Sequence, residues 1–247
     1  MSRPFLDWIL LVQTGELLGS GRSADVFAID DGWVLRRYRD GSDAADEAVV
    51  MSYLADRGFP VPAVSPMTIV ADPDARSVAR TDLVMQRLSG PTMLRALIDA
   101  AITPEQAGGI LAHLLRRLHT IPARASTAPG NRILHLDLHP DNVMLTSQGP
   151  VVIDWCNTAE GPPGLDWAMS ALIHAQVAVD PVSEVATPAR LVLSSLLAHL
   201  DGTVNIGDAR TGYLAQARAR RAADAALSPR EVELLDTAVT LVMALRR

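Results

Sequence analysis

Ser89-Gly90-Pro91 separates two stretches of opposite character, so no single-layer architecture accommodates the whole chain. Before this break, apolar residues come in short runs between turn residues. Leu17-Leu18 leads into a Gly/Ser-rich turn, Val26-Phe27-Ala28-Ile29 follows, and Asp30-Asp31-Gly32 folds back into Trp33-Val34-Leu35. That pattern predicts two or three antiparallel strands. Residues 42–57 predict a helix capped by Ser42, acidic in its first turns, with Ala48, Met51, Tyr53 and Leu54 at helical spacing and Gly58 at its end. Two further strands are expected at 67–71 and 78–87, joined by Asp72-Pro73-Asp74.

After the break the character is helical. Thr103-Pro104-Glu105 starts a helix running to His119. Residues 132–154 read as a loop and two short strands around a turn at Ser147-Gln148-Gly149-Pro150, and amphipathic helices follow from Leu165. The expected class is α+β and bilobal. A small N-terminal antiparallel sheet lobe with one main helix spans residues 1–89, and a larger, mostly helical C-terminal lobe spans 90–247, with a hinge near Ser89-Gly90.

Composition narrows the function. Hydrophobic residues make up 49% of the 247 and charged residues 20%, the balance of a globular protein. The net charge of −6 opposes nucleic-acid binding, which rewards a basic surface. Every one of the 22 basic residues counted as Lys+Arg is arginine. The single cysteine, Cys156, has no internal partner for a disulfide, which fits a reducing compartment. Ile9-Leu10-Leu11-Val12 is too short for a signal peptide, and no apolar run approaches the roughly 18–20 residues of a membrane span. A cytoplasmic protein, monomeric or weakly dimeric, with no membrane or nucleic-acid partner is expected.

The residues with chemistry lie in His135-Leu136-Asp137-Leu138-His139-Pro140-Asp141-Asn142, followed by Val151-Val152-Ile153-Asp154-Trp155. Phosphoryl transfer needs a carboxylate near the incoming hydroxyl and oxygen ligands for a phosphate-bridging Mg²⁺. Asp137 and Asn142 are five positions apart in a loop entering a strand, and Asp154 ends an apolar strand. The spacing HxDxxxxN with a strand-terminal Asp matches a kinase catalytic loop and its metal aspartate. Two other readings stand beside it: ordinary polar loop residues around a packed His135, and a di-histidine metal site of His135 and His139. Further upstream, Gly19-Ser20-Gly21-Arg22-Ser23 is a glycine-rich turn between strands, where backbone N–H groups and serine hydroxyls can approach phosphates.

These motifs resemble the aminoglycoside phosphotransferases and related choline-kinase-like small-molecule kinases, over roughly Gly19 to Ala168. The resemblance implies a protein-kinase-like fold and an ATP- and Mg²⁺-dependent transfer of the γ-phosphate to a hydroxyl. It implies Asp137 as catalytic base, Asn142 and Asp154 as Mg²⁺ ligands that complete the catalytic set, and Asp166 as a brace for the catalytic loop. Gly19, Ser20, Gly21 and Ser23 would cover the phosphates. Arg36, paired with Glu47, would stand where such kinases use a lysine, with Arg37 as the register alternative. Met85, Gln86 and Leu88 would form the adenine-reading strand.

The acceptor is a small hydroxylated molecule, either an aminoglycoside or other antibiotic or a metabolite. Glu160, Asp180 and Glu184 are candidate carboxylates for a polycation. The basic run Arg218-Ala219-Arg220-Arg221, and Gly161-Pro162-Pro163 where the family has Gly-Asp-Pro, depart from the aminoglycoside enzymes. A nucleotide-binding pseudokinase is the alternative.

Overall fold

In a computed structural model, residues 14–66, 81–200, 204–207, 210 and 212–246 are described. The strand expected at 67–71, its following turn, the beginning of the strand expected at 78–87 and the apolar run at 9–12 lie outside them. The chain divides into two compact units, Met1–Ser89 and Gly90–Arg247.

In the first unit, β1 (Leu17–Ser20), β2 (Ala24–Ala28), β3 (Trp33–Tyr38) and β4 (Asp82–Gln86) form one antiparallel sheet in that order. The β2–β3 turn closes because Asp30 Oδ1 accepts from the Gly32 and Trp33 amides at 2.7 and 2.9 Å, the Asx geometry that turn aspartates favour. The inner strand β3 buries Val34, Leu35, Arg36 and Tyr38, whereas β1 is exposed throughout. Helix α1 (Ala45–Ala55) buries Glu47, Ala48, Val50, Met51 and Leu54. Ser42 does not cap it. The Ser42 amide is taken by Asp40 Oδ1 at 3.0 Å, and Asp43 Oδ1 accepts from the Ala45 amide at 2.9 Å. The helix therefore starts later than its acidic run suggests.

The second unit begins at Gly90, whose φ is +137° and whose hypothetical Cβ would lie 2.1 Å from the Leu145 carbonyl oxygen. Only glycine lets the backbone pass here. Helices α2 (Met93–Ile98) and α3 (Pro104–Leu118) follow. Thr103 and Gln106 form a reciprocal capping box at the start of α3, closing at 3.2 and 2.8 Å. Two small antiparallel pairs come next: β5 (Arg132–Leu134) with β8 (Ala159–Gly161), and β6 (Val143–Thr146) with β7 (Gly149–Val152).

The core of this unit is α4 (Pro163–Val179), which buries every residue from Asp166 to Gln176. Helices α5 (Ala186–Ala198), α6 (Tyr213–Ala222) and α8 (Leu235–Leu245) pack against it, and the short α7 (Pro229–Glu233) precedes α8. Trp167, Ala168, Ala171, Leu172 and Ala175 are at most 1% exposed, so alanines let the neighbouring helices approach closely. Among the described residues no helix is long and apolar enough to cross a membrane.

Candidate active site

The loop after β5 is held from below by one carboxylate. Asp166, in the first turn of α4 and fully buried, accepts from the His135 amide at 3.0 Å, the Leu136 amide at 2.7 Å and His119 Nε2 at 2.9 Å. These bonds hold Leu136 at φ +63°, a backbone state that costs a branched residue about 1 kcal/mol or more. Burial pushes the Asp166 carboxyl up. The His119 hydrogen bond, the two histidine rings and the His135 amide outweigh it, and the group stays below the ordinary carboxylate range. Ser170 adds a second tether by donating to the Leu138 carbonyl at 2.9 Å.

His135 ties the loop to the strand beyond it. Its Nε2–H donates to the Ile153 carbonyl at 3.0 Å, and its Nδ1 accepts from the Asp137 amide at 3.2 Å. The ring is fully buried, with Trp155 edge-on at 4.6 Å. Burial lowers its pKa, although the charges of Asp166, Asp137 and Asp154 work the other way, so it is a neutral hydrogen-bonding bridge. Each nitrogen is thereby committed within the chain, and the di-histidine metal site does not form. The Ile153 amide in turn donates to the Asn142 carbonyl at 3.0 Å, extending the β6–β7 ladder by one step. Asp154 follows at once, at φ +64°.

Asp137 and Asn142 meet directly. Asn142 Nδ2 donates to the Asp137 carbonyl at 2.9 Å and lies 3.3 Å from Asp137 Oδ2 and 3.2 Å from His139 Nε2. Because the amide nitrogen faces Asp137, its oxygen faces away. An amide oxygen and a carboxylate, the side-chain oxygens of Asn142 and Asp154, are hard donors of the kind Mg²⁺ takes when phosphates and water complete its shell. Among the described residues no group of three or more His, Cys, Asp or Glu could hold a metal by itself. The donor chemistry fits a phosphate-borne cation.

In the first unit, strand register separates the two arginines. Arg36 is 6% exposed and pairs with Glu47 of α1 at 3.2 Å, while Tyr38 donates to the other Glu47 oxygen. Arg37 points to the opposite face and grips Asp82 of β4 through two bonds of 2.8 and 2.6 Å. Gly19 and Ser20 end β1, Gly21 is in the β1–β2 turn, and these three are exposed, while Ser23 at the end of the turn is half-buried. Arg39 props the turn, donating to the carbonyls of Gly21 at 2.5 Å and Arg22 at 2.7 Å and to Ser20 Oγ at 3.0 Å. Ser20 donates its proton to Asp25 at 2.6 Å. Half-buried Met85 and exposed Gln86 end β4, with the Gln86 amide donating to the Ala63 carbonyl at 2.8 Å; half-buried Leu88 follows.

The family model of the phosphotransferase enzyme family matches residues 14–132 and 124–187, most of the chain. The chain belongs to the phosphotransferase enzyme family. Its members transfer phosphoryl groups, and this chain is accordingly a phosphotransferase with an alcohol group as acceptor.

The structure agrees. A gentamicin complex of APH(2″)-IIa matches at 13% identity, TM-score 0.53, over 94% of this chain and 92% of that one. Spectinomycin phosphotransferase APH(9)-Ia, in complex with ADP and spectinomycin, matches at 11% and 0.53, over 95% and 93%. A choline/ethanolamine kinase family protein from Mesorhizobium loti matches at 15% and 0.50, over 99% and 91%. At such identities the likeness is one of fold. No curated protein matches the sequence.

Several of the contacts in this phosphotransferase could not be read from the sequence. Arg39, His119, Gln176 and Arg221 meet their partners across long stretches of chain. Arg221 of α6, for example, brings Nη1 to 3.8 Å from Asp137 Oδ1. Two of the three carboxylates considered for a polycation are engaged elsewhere. Glu160 accepts from the amides of Arg124, Ala125 and Ser126 at 2.5–3.1 Å. Asp180 binds Arg230 at 2.7 Å, and Glu184 is an exposed surface residue.

Proposed function

We propose that this phosphotransferase is an ATP- and Mg²⁺-dependent kinase of a small hydroxylated molecule. Residues 1–89 grip the nucleotide, and residues 90–247 supply the acceptor site and the transfer chemistry. The observation that carries the reading is the pinned loop. Asp166 and His135 together fix the backbone of residues 135–137 and tie it to Ile153, the residue before Asp154.

Asp137 is the group that orients the acceptor hydroxyl and takes its proton as the phosphoryl group transfers. The Asn142 side-chain oxygen and the Asp154 carboxylate would hold Mg²⁺, which would supply neutralisation of the phosphate charge. Arg36, fixed by Glu47, takes the lysine's place at the α- and β-phosphates. A guanidinium can bind them through two N–H groups. The backbone of Gly19–Ser23 covers the phosphates, and the strand end with Met85, Gln86 and Leu88 receives the adenine.

ADP release from Mg·ATP across a panel of hydroxyl acceptors tests this. Asp137→Ala is expected to lower acceptor-dependent turnover by about 10²–10⁴-fold, the span typical of a positioned acid–base group, with ATP affinity little changed. Turnover that survives in Asp137→Ala would overturn the reading.

A further inference from the structure

Helix α6 is basic, and its arginines face different ways. Arg218 turns to Asp236 of α8 at 2.6 Å, a solvent-side pair. Arg221 turns inward, its side chain 11% exposed. Its Nε donates to Gln176 Oε1 at 2.8 Å. Gln176 is 5% exposed and donates its own Nε2 to the Glu231 carbonyl at 2.9 Å. That second bond fixes which end of the amide faces Arg221, so the guanidinium is held from behind by α4 and α7. Its Nη1 stands 3.8 Å from Asp137 Oδ1. The separation is too long for a hydrogen bond and short enough for a strong Coulomb interaction. Carboxylate and guanidinium thus stand side by side as an ion pair.

Resting on the kinase reading above, we propose that Arg221 is a specificity-determining residue and that the acceptor carries a carboxylate near the hydroxyl that is phosphorylated. A hydroxy acid presents a hydroxyl and an anion within a few bonds of each other, matching Asp137 and Arg221 in turn. A planar guanidinium suits a carboxylate because it can donate two parallel bonds to it. A polycationic acceptor meets the opposite situation. It must approach Asp137 past a fixed positive charge, and of the candidate carboxylates Glu160 and Asp180 are committed to partners in their own chain while Glu184 is exposed. The acceptor site therefore selects against the charge class of aminoglycosides.

The test measures ADP release by the full chain with Mg·ATP on acceptors matched in size and opposite in charge: glycerate against 2-amino-1,3-propanediol, and gluconate against glucosamine. In the unaltered protein, kcat/KM is expected to favour the anionic member of at least one pair by about 30-fold, the scale of one charge-assisted hydrogen bond. Arg221→Met is expected to collapse that ratio toward one, chiefly through KM, and Arg221→Lys to restore part of it. A thermal midpoint for each variant verifies folding.

Preference for the cationic members would overturn the inference, as would an Arg221→Met variant whose kcat falls equally on every acceptor. The latter result would make Arg221 a positioning residue for Asp137. If no anionic acceptor stimulates ADP release while Mg·ATP still binds and basal hydrolysis still depends on Asp137, the inference fails and the kinase reading stands. Absence of Mg·ATP binding would remove the kinase reading, and the inference with it.

Discussion

Asp166 and His135 do more for the loop than any residue that faces solvent. Asp166 accepts three hydrogen bonds while wholly buried, so its carboxylate has no water to fall back on. Asp166→Asn keeps the volume but turns an N–H₂ toward donors. A loss of about 3 kcal/mol is expected, the scale of leaving buried polar groups unpaired, together with slower turnover as Leu136 leaves its left-handed backbone state. Urea denaturation and ADP release check it, and a wild-type midpoint would show that the loop is held by other means. His135→Phe keeps a ring against Trp155 but leaves the Asp137 amide and the Ile153 carbonyl without their partner. It should cost about 2–4 kcal/mol, and His135→Gln, which has both a donor and an acceptor, should recover part. Equal midpoints for the two variants would reduce His135 to packing. At this scale the sequence showed the loop in which Asp137 and Asn142 meet, because their spacing is local. It did not show that His135 is the bridge, since a histidine in such a motif reads equally well as core. Nor did it show Arg221, whose partner is distant along the chain.

Among the elements, strong local chemistry was readable and weak local chemistry was not. The Thr103-Pro104 start of α3 and the Asp30 turn carry their own hydrogen-bonding side chains, so each forms where its residues predict. Ser42 lost its expected role because Asp43 lies nearer the first helical turn and supplies the side-chain acceptor there. Helix α2 and the β5–β8 pair are six and three residues long, too short for periodicity to mark. Close helix contacts are equally silent in sequence, and Gly108-Gly109 on α3 shows why. A Cβ on Gly108 would stand 2.5 Å from Ser195 Cβ and 2.8 Å from the Val192 carbonyl, so α3 and α5 touch there. On Gly109 the nearest atom is His199 Cε1 at 3.7 Å, an ordinary contact. Adjacent substitutions should therefore differ in sign. Gly108→Ala is expected to destabilise by about 1–3 kcal/mol through overpacking. Gly109→Ala should stabilise by up to about 1 kcal/mol through helix propensity. Chemical denaturation of both variants decides it, and a common sign would remove the close crossing as the cause.

For the molecule as a whole, the family was written in the sequence. What faces Asp137 was not, because Arg221 and the Gln176 that holds it lie on α6 and α4, far along the chain from the loop. Response to acid is also a property of the whole chain, and buried histidines set its direction. His174 of α4 is 3% exposed, and its Nδ1–H donates to the Ser170 carbonyl at 2.7 Å. Burial, aided by the charge of His139 and opposed by that hydrogen bond, lowers its pKa to about 4. The unfolded chain takes up this proton near the ordinary histidine value of about 6.5, the folded chain only near 4. Between those values the unfolded state binds more protons, so stability rises with pH and is lost as pH falls. His135 adds in the same direction. Asp166, a carboxylate held below its ordinary range, extends the loss to lower pH. Stability should be nearly flat above pH 7 and fall below about 6.5, with His174 alone contributing on the order of 3 kcal/mol by pH 4. His174→Gln keeps a donor for Ser170 and cannot titrate. Its urea midpoints from pH 7.5 to 4.5 should lose about one proton's worth of slope, roughly 1.4 kcal/mol per pH unit. An unchanged slope would place the proton uptake on another group.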